Sequence, residues 1–243
     1  MWSLFKWSYS YLIIVLFMIF FRQKQLLRLM QLTSPMLPIG SYAYSQGLEY
    51  AVESGWLTDE NSAADWILGL LEHSHSNLEV PILARLYNGW KKGDDISVKY
   101  WNDYLFASRE TSELQAEERQ ISWALCKLLH NLGLAKAYQW SVYPKATFLL
   151  SFSLGTFYWH ITLKDAITGY LWTWLENQVM AAIKLIPLGQ TTGQKILSKA
   201  IDRIPEIVKT GLLLEDAEIG SSSPGQGVAS SLHETQYSRL FRS

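Results

Sequence analysis

The stretch LGQTTGQK, Leu188–Lys195, is the nearest this 243-residue sequence comes to a phosphate-binding loop. A Walker A loop needs four residues between its glycines and a lysine directly after the second, so that backbone N–H groups and the ammonium cradle phosphate together. Here three residues separate Gly189 from Gly193, and Gln194 intervenes before Lys195. No strand pattern precedes the segment, and the motif fails. His73 and His75 are two apart, which on a helix points them about 200° away from each other. They lack the i, i+4 spacing of a helical zinc pair and read as a capped or solvated helix end. Cys126 in SWALCKLL reads as a buried, inert thiol, and no G-x-S-x-G elbow exists. The acidic run Arg109–Arg119, RETSELQAEER, puts Glu113 and Glu117 on one helical face, a mildly repulsive pair unless a cation intervenes. With Arg109 and Arg119 nearby, it reads as an exposed, salt-bridged face or, more sharply, a docking surface. No catalytic set and no metal set emerges, which favours a protein that works by contact.

The elements that would position these residues are helical almost throughout. No sustained two-residue alternation with hairpin turns appears. The loop PMLPIGSYAYS is broken by Pro35, Pro38 and Gly40. Ser45 is expected to cap a helix through about Ser54, with Gly55 in the left-handed position after it. Thr58 or Asp59 opens the next helix, Pro81 lies in the first turn of another, and one long tract is expected over 96–131, closed by Gly133. The nearly uncharged segment Pro144–His160 reads as a helix buried all round. Thr162 and Asp165 have capping-box spacing before a helix reaching toward Pro187, and Pro205 is expected to start a short helix. SSSPGQG, residues 221–227, reads as a flexible connector. The expected architecture is all-α: a single helical-bundle domain over 26–219, with 220–243 as linker and flexible C-terminal tail.

Composition agrees with such a core. Hydrophobic residues make up 49% of the chain and charged residues 18%, which excludes a disordered polymer. A net charge of −1 argues against nucleic-acid binding, and one cysteine cannot form an internal disulfide. Residues 1–25 stand apart as a hydrophobic N-terminal extension outside the core: Lys6, Arg22 and Lys24 are their only charges, and Tyr11–Phe21 is uninterruptedly apolar or aromatic. That run covers about 17 Å as a helix, against about 30 Å of bilayer hydrocarbon. An uncleaved membrane anchor, an arm packed on a partner, and an upstream extension absent from the working protein all fit it. Met18 and Met30 are plausible internal starts.

Four segments in order resemble the UreF family of urease accessory proteins. They are LTSPMLPIGSYAYSQGLEYAVESGWL (Leu32–Leu57), ASRETSELQAEERQ (Ala107–Gln120), YLWTWLENQVMAAIKLIPLGQTTGQKIL (Tyr170–Leu197) and HETQYSRLFRS (His233–Ser243). The resemblance spans about 26–243. Glu118-Arg119 stands where the family more usually has Glu-Ser, and Ile121-Ser122 where it has Met-Gly. What the resemblance implies is an all-α, homodimeric, cytoplasmic scaffold with no enzymatic activity. It would bridge a UreD/UreH-type accessory protein and a UreG-type GTPase on apo-urease, gating GTP-dependent nickel insertion. Nickel and GTP would be handled by those partners, with no cofactor bound directly.

Candidate contact residues follow. By resemblance, Tyr42, Glu49, Lys184 and His233 belong to the GTPase-docking region. Tyr42 and Tyr44 are expected to be exposed in a proline-braced loop. Lys184 stands alone among apolar residues, where burial without a partner is costly, so it is expected at the surface. In the tail, Tyr237, Arg239, Leu240, Phe241 and Arg242 combine aromatic and arginine anchors of the kind that dominate interfaces. They are expected to order on binding the accessory protein. The alternative function is a membrane-anchored helical interaction protein, motivated by residues 11–21.

Overall fold

The computed structural model describes residues 19–243, and its regular elements are all helical. Helix α1 covers 19–32. A loop and a 3-10 turn (Ser41–Ala43) lead to α2 (Leu48–Glu53) and α3 (Glu60–Gly69), which continues through a π-helical turn, Leu70–His75. Then follow α4 (Glu79–Lys92), α5 (Asp95–Ala107), α6 (Ser112–Asn131), α7 (Ala137–Ser141), α8 (Phe148–Tyr158), α9 (Leu163–Leu185), α10 (Gln190–Leu213) and α11 (Pro224–His233). The all-α class is as expected.

Several ends form for the anticipated reasons. Asp59 caps α3 by accepting from Ser62 N at 2.8 Å. Thr162 caps α9 by accepting from Asp165 N at 3.2 Å. Gly133, with φ of 97°, follows α6 as expected. The uncharged α8 is buried from Leu149 through Thr156 and packs on α4, α6 and α9. Burying each of Leu149, Leu150, Phe152 and Leu154 stabilises the fold by roughly 1.5–3 kcal/mol.

Four local expectations are overturned. The tract over 96–131 is two helices, because Thr111 caps α6 (Leu114 N to Thr111 Oγ1, 3.2 Å) and Arg109 turns inward to carboxylates. Pro205 does not start a helix but lies inside α10. It removes one N–H donor, yet Pro205 and Ile201 lie on the exposed face of the helix, so the Ile201 carbonyl left without that donor is not buried in the core. The helix expected from Ser45 starts only at Leu48, after Gly47, although Ser45 Oγ still accepts from the first-turn Glu49 N at 3.2 Å. His75 is not a solvated end. It is buried against Trp174 with ring centroids 4.2 Å apart, and burial pushes its imidazolium down to about 4.

The run beginning at Tyr11 falls mostly outside the described residues, as do residues 1–18 of the N-terminal extension. Residues 19–25 belong to α1, the helix that also carries 26–32. Arg22 pairs with Asp165 at 2.5 Å, the Gln25 amide donates to the His160 carbonyl, and Arg28 lies 4.6 Å over the Trp159 ring. Among the described residues no helix is long and apolar enough to cross a membrane.

The segment expected to hang as a flexible tail is packed on the domain. Residues 224–233 form α11 against α2, and Phe241 and Ser243 are buried. The reason is a set of buried polar partners on α2 and α6.

Candidate partner-docking site

Gly47 starts the site. Its φ of 85° suits the turn into α2, and a Cβ there would stand 2.8 Å from Ser230 N. Only glycine admits so close an approach of α11. Ser230 is held in turn by Thr111, 2.8 Å away between hydroxyls. One turn further along α11, His233 comes to lie beside Glu49 of α2 with no exposed surface.

Each nitrogen of the His233 ring faces a carboxylate. Nε2 is 3.1 Å from Glu49 Oε2, and Nδ1 is 2.7 Å from Glu113 Oε2. Glu113 also accepts from Arg239 Nη1 at 2.6 Å. Glu49, itself buried, accepts from the backbone N–H groups of Leu240 (2.6 Å) and Phe241 (2.8 Å). A buried carboxylate needs such donors, and each charge-assisted bond of this kind contributes about 1.5–3 kcal/mol. Glu234 accepts from Ser112 Oγ at 2.6 Å and from Ser112 N at 2.9 Å at the N-terminus of α6. The hydroxyl first, then the N–H groups there, hold its carboxyl below the usual range.

The segment ends in the proline-braced loop. The Ser243 carbonyl accepts from Ser45 N (2.7 Å), Gln46 N (3.0 Å) and Ser45 Oγ (2.6 Å), while Arg242 N donates to the Ala43 carbonyl at 2.8 Å. Helix α9 braces the same loop: Trp174 Nε1 donates to Gln46 Oε1 at 2.8 Å, and the Asn177 amide to the Ser41 and Tyr44 carbonyls. Glu117 receives Gln46 Nε2 at 2.8 Å and Ser243 Oγ at 3.0 Å. Burial pushes the Glu117 carboxyl up to about 7, assisted by the neighbouring Glu118 charge.

The expected residues therefore divide. Glu49, His233, Arg239, Leu240 and Phe241 form one connected network. Lys184, exposed as anticipated, joins it through its ammonium, 5.7 Å from the Phe241 ring centroid. Arg242 donates to Gln120 at 3.3 Å. Tyr237 is fully exposed and Leu240 is 66% exposed. Tyr42 stands outside the network. It is half-buried, its hydroxyl has no hydrogen-bond partner, and burial followed by the Glu176 charge pushes it up to about 12. Tyr44, expected at the surface, is buried, because its hydroxyl reaches the Gln120 carboxamide.

The acidic run is not an exposed salt-bridged face either. Glu117 and Glu118 are buried, and Arg109 pairs with Glu118 and with Glu79 of α4, each at 2.7 Å. A small cavity of about 70 Å³ lies beside them, lined by His75, Tyr170 and Asn177 among others. Glu113, Gln46 and Glu117 were not singled out in the sequence as contact residues. The one available signal was the like-charged pair Glu113 and Glu117 on a helix, whose repulsion calls for donors. Cys126 is buried as expected, and burial pushes its thiol up to about 12.

The family model described as UreF matches residues 57–201. Curated relatives extend the similarity well beyond that span. The urease accessory protein UreF of Alkalilimnicola ehrlichii is 50% identical over 216 residues, covering 89% of this chain and 95% of that protein. UreF of Teredinibacter turnerae is 47% identical over 90% of this chain and 99% of its own length. UreF 2 of Brucella anthropi is 44% identical over 90% and 96%. With that identity over nearly the whole length of its relatives, and with the ordered network built from the four resembling segments, the chain belongs to the UreF family of urease accessory proteins.

Proposed function

We propose that the chain is a non-catalytic scaffold in urease maturation. It joins a UreD/UreH-type accessory protein to a UreG-type GTPase on apo-urease, and so gates GTP-dependent nickel insertion in the cytoplasm. Nickel and GTP are bound by the partners, and this chain supplies shape. The observation that supports the reading is the C-terminal segment: its backbone is fixed by Glu49 while Tyr237 and Leu240 project into solvent. A side chain held ready on a fixed backbone loses little freedom on binding. Lys184, Arg239 and Arg242 add positive charge to the same region.

A second copy of the chain is the proposed occupant of the groove between α1, α9 and α10. Leu26, Met30 and Ile201 are about half exposed there, beside Trp172. An exposed apolar patch of this kind marks an association surface. The test is co-purification from cells expressing the whole urease operon, followed by nickel activation of apo-urease. The reading requires both partners to be retained and urease to be activated only when this chain is present. Activation at the normal rate without it sinks the proposal.

A further inference from the structure

A buried imidazole with a carboxylate oxygen on each nitrogen has one protonation state that satisfies every hydrogen bond. Ionised carboxylates only accept, so both ring nitrogens of His233 must donate, to Glu49 and to Glu113. A neutral ring would aim a lone pair at one of the two carboxylates inside a site with no exposed histidine surface. The same two carboxylates hold the segment that follows: Glu49 through the Leu240 and Phe241 N–H groups, Glu113 through Arg239. Other charged groups nearby are Glu234, engaged at the α6 N-terminus, and Lys184 of α9 over the Phe241 ring. Neither touches the imidazole.

We propose that His233 is a proton-operated latch: its imidazolium clamps residues 234–243 between α2 and α6, and loss of its proton releases them. The sign follows from the geometry. Protonated His233 balances the two carboxylates, whereas neutral His233 leaves them facing each other across an uncharged ring. Docking therefore weakens as rising pH removes the His233 proton. Glu117 works in the same direction at the end of the segment. Its carboxyl, pushed up to about 7 by burial, loses its proton as pH rises and becomes a buried charge beside Ser243. The regulatory consequence, that pH tunes how firmly Tyr237 and Leu240 are presented, rests on the partner-binding reading above. The latch itself does not.

Hydrogen exchange of the full chain at about pH 6 and pH 8.5 reads the latch directly at the Leu240 and Phe241 amides. After correction for the intrinsic rate, their protection should fall about tenfold or more at the higher pH, while amides in the middle of α9 keep theirs. Nitrogen NMR should show the His233 ring doubly protonated at the lower pH. In His233→Gln and in Glu113→Gln the pH response should disappear, and either variant suffices if the other does not fold. Glu117→Gln should retain it. Unchanged Leu240 and Phe241 protection across pH overturns the latch, as does its loss in Glu117→Gln alone. Capture of the accessory partner at both pH values separates the two readings. Binding that weakens with release supports the regulatory role, and a latch that opens while binding stays constant overturns that role and leaves the latch.

Discussion

Arg109 Nη1 lies 2.7 Å from Glu79 Oε1, an ion pair joining the break between α5 and α6 to the first turn of α4. Glu118 takes the other side of the same guanidinium, and its second oxygen accepts from Phe148 N at the start of α8 (2.7 Å). One arginine thus ties three helices together in a region with little solvent. Removing one partner of such a group leaves the others charged and unpaired. Arg109→Met should cost about 3–5 kcal/mol in urea unfolding. Arg109→Lys should also destabilise, since an ammonium cannot serve two carboxylates with the same planar fork. Equal midpoints for wild type and Arg109→Met would falsify the assignment.

Glu117 makes stability depend on pH. Burial pushes its folded carboxyl up to about 7 from the ordinary value of 4.5. Between these values the folded chain holds a proton that the unfolded chain has released, so stability from this group falls as pH rises. The span corresponds to at most about 3 kcal/mol. Glu117→Gln should remove this part of the slope and make the protein relatively more stable above pH 7. Denaturation at about pH 5.5, 7 and 8.5 measures it, and a parallel pH dependence in both proteins contradicts the account.

The helices that read correctly from sequence are those specified by their own residues. The α8 segment has no charge to place and goes inside, and Asp59 and Thr162 cap their helices with local side chains. The misreadings depended on residues distant in the chain. Arg109 breaks a helical tract because Glu79, 30 residues away, needs a cation. His75 is buried because Trp174 comes to cover it. The C-terminal segment looked detached because its composition is polar and its linker rich in serine and glycine. Its anchors, Glu49, Glu113 and Ser45, lie more than a hundred residues upstream, so no pattern within the segment itself reveals them. Family resemblance pointed to Glu49 and His233 but not to their contact with each other.

The groove between α1, α9 and α10 yields a prediction about association. Leu26 and Ile201 are about half exposed on its opposite walls. Replacing both with glutamate places two like charges against the copy proposed to cover it, at little cost to the monomer, because neither is buried. Sedimentation should show the wild type as a dimer and Leu26→Glu/Ile201→Glu as a monomer with an unchanged far-ultraviolet spectrum. A double variant that still sediments as a dimer moves the interface elsewhere.

Leu240 separates recognition from folding. Its backbone N–H is held by Glu49, but its side chain is 66% exposed, and Tyr237, three residues earlier, is fully exposed. Leu240→Asp keeps the N–H and therefore the bond to Glu49, so its stability should stay within about 0.5 kcal/mol of wild type. A partner that buries this leucine must instead desolvate a carboxylate, which should weaken binding by about tenfold or more. Tyr237→Ala should act through lost aromatic contact, again with little change in unfolding. Titration of the proposed UreD/UreH-type partner against each variant, with thermal unfolding as the control, measures both effects. Weakened binding together with a large loss of stability would mean that these side chains hold the segment in place, and intact binding would mean that the partner docks on another face.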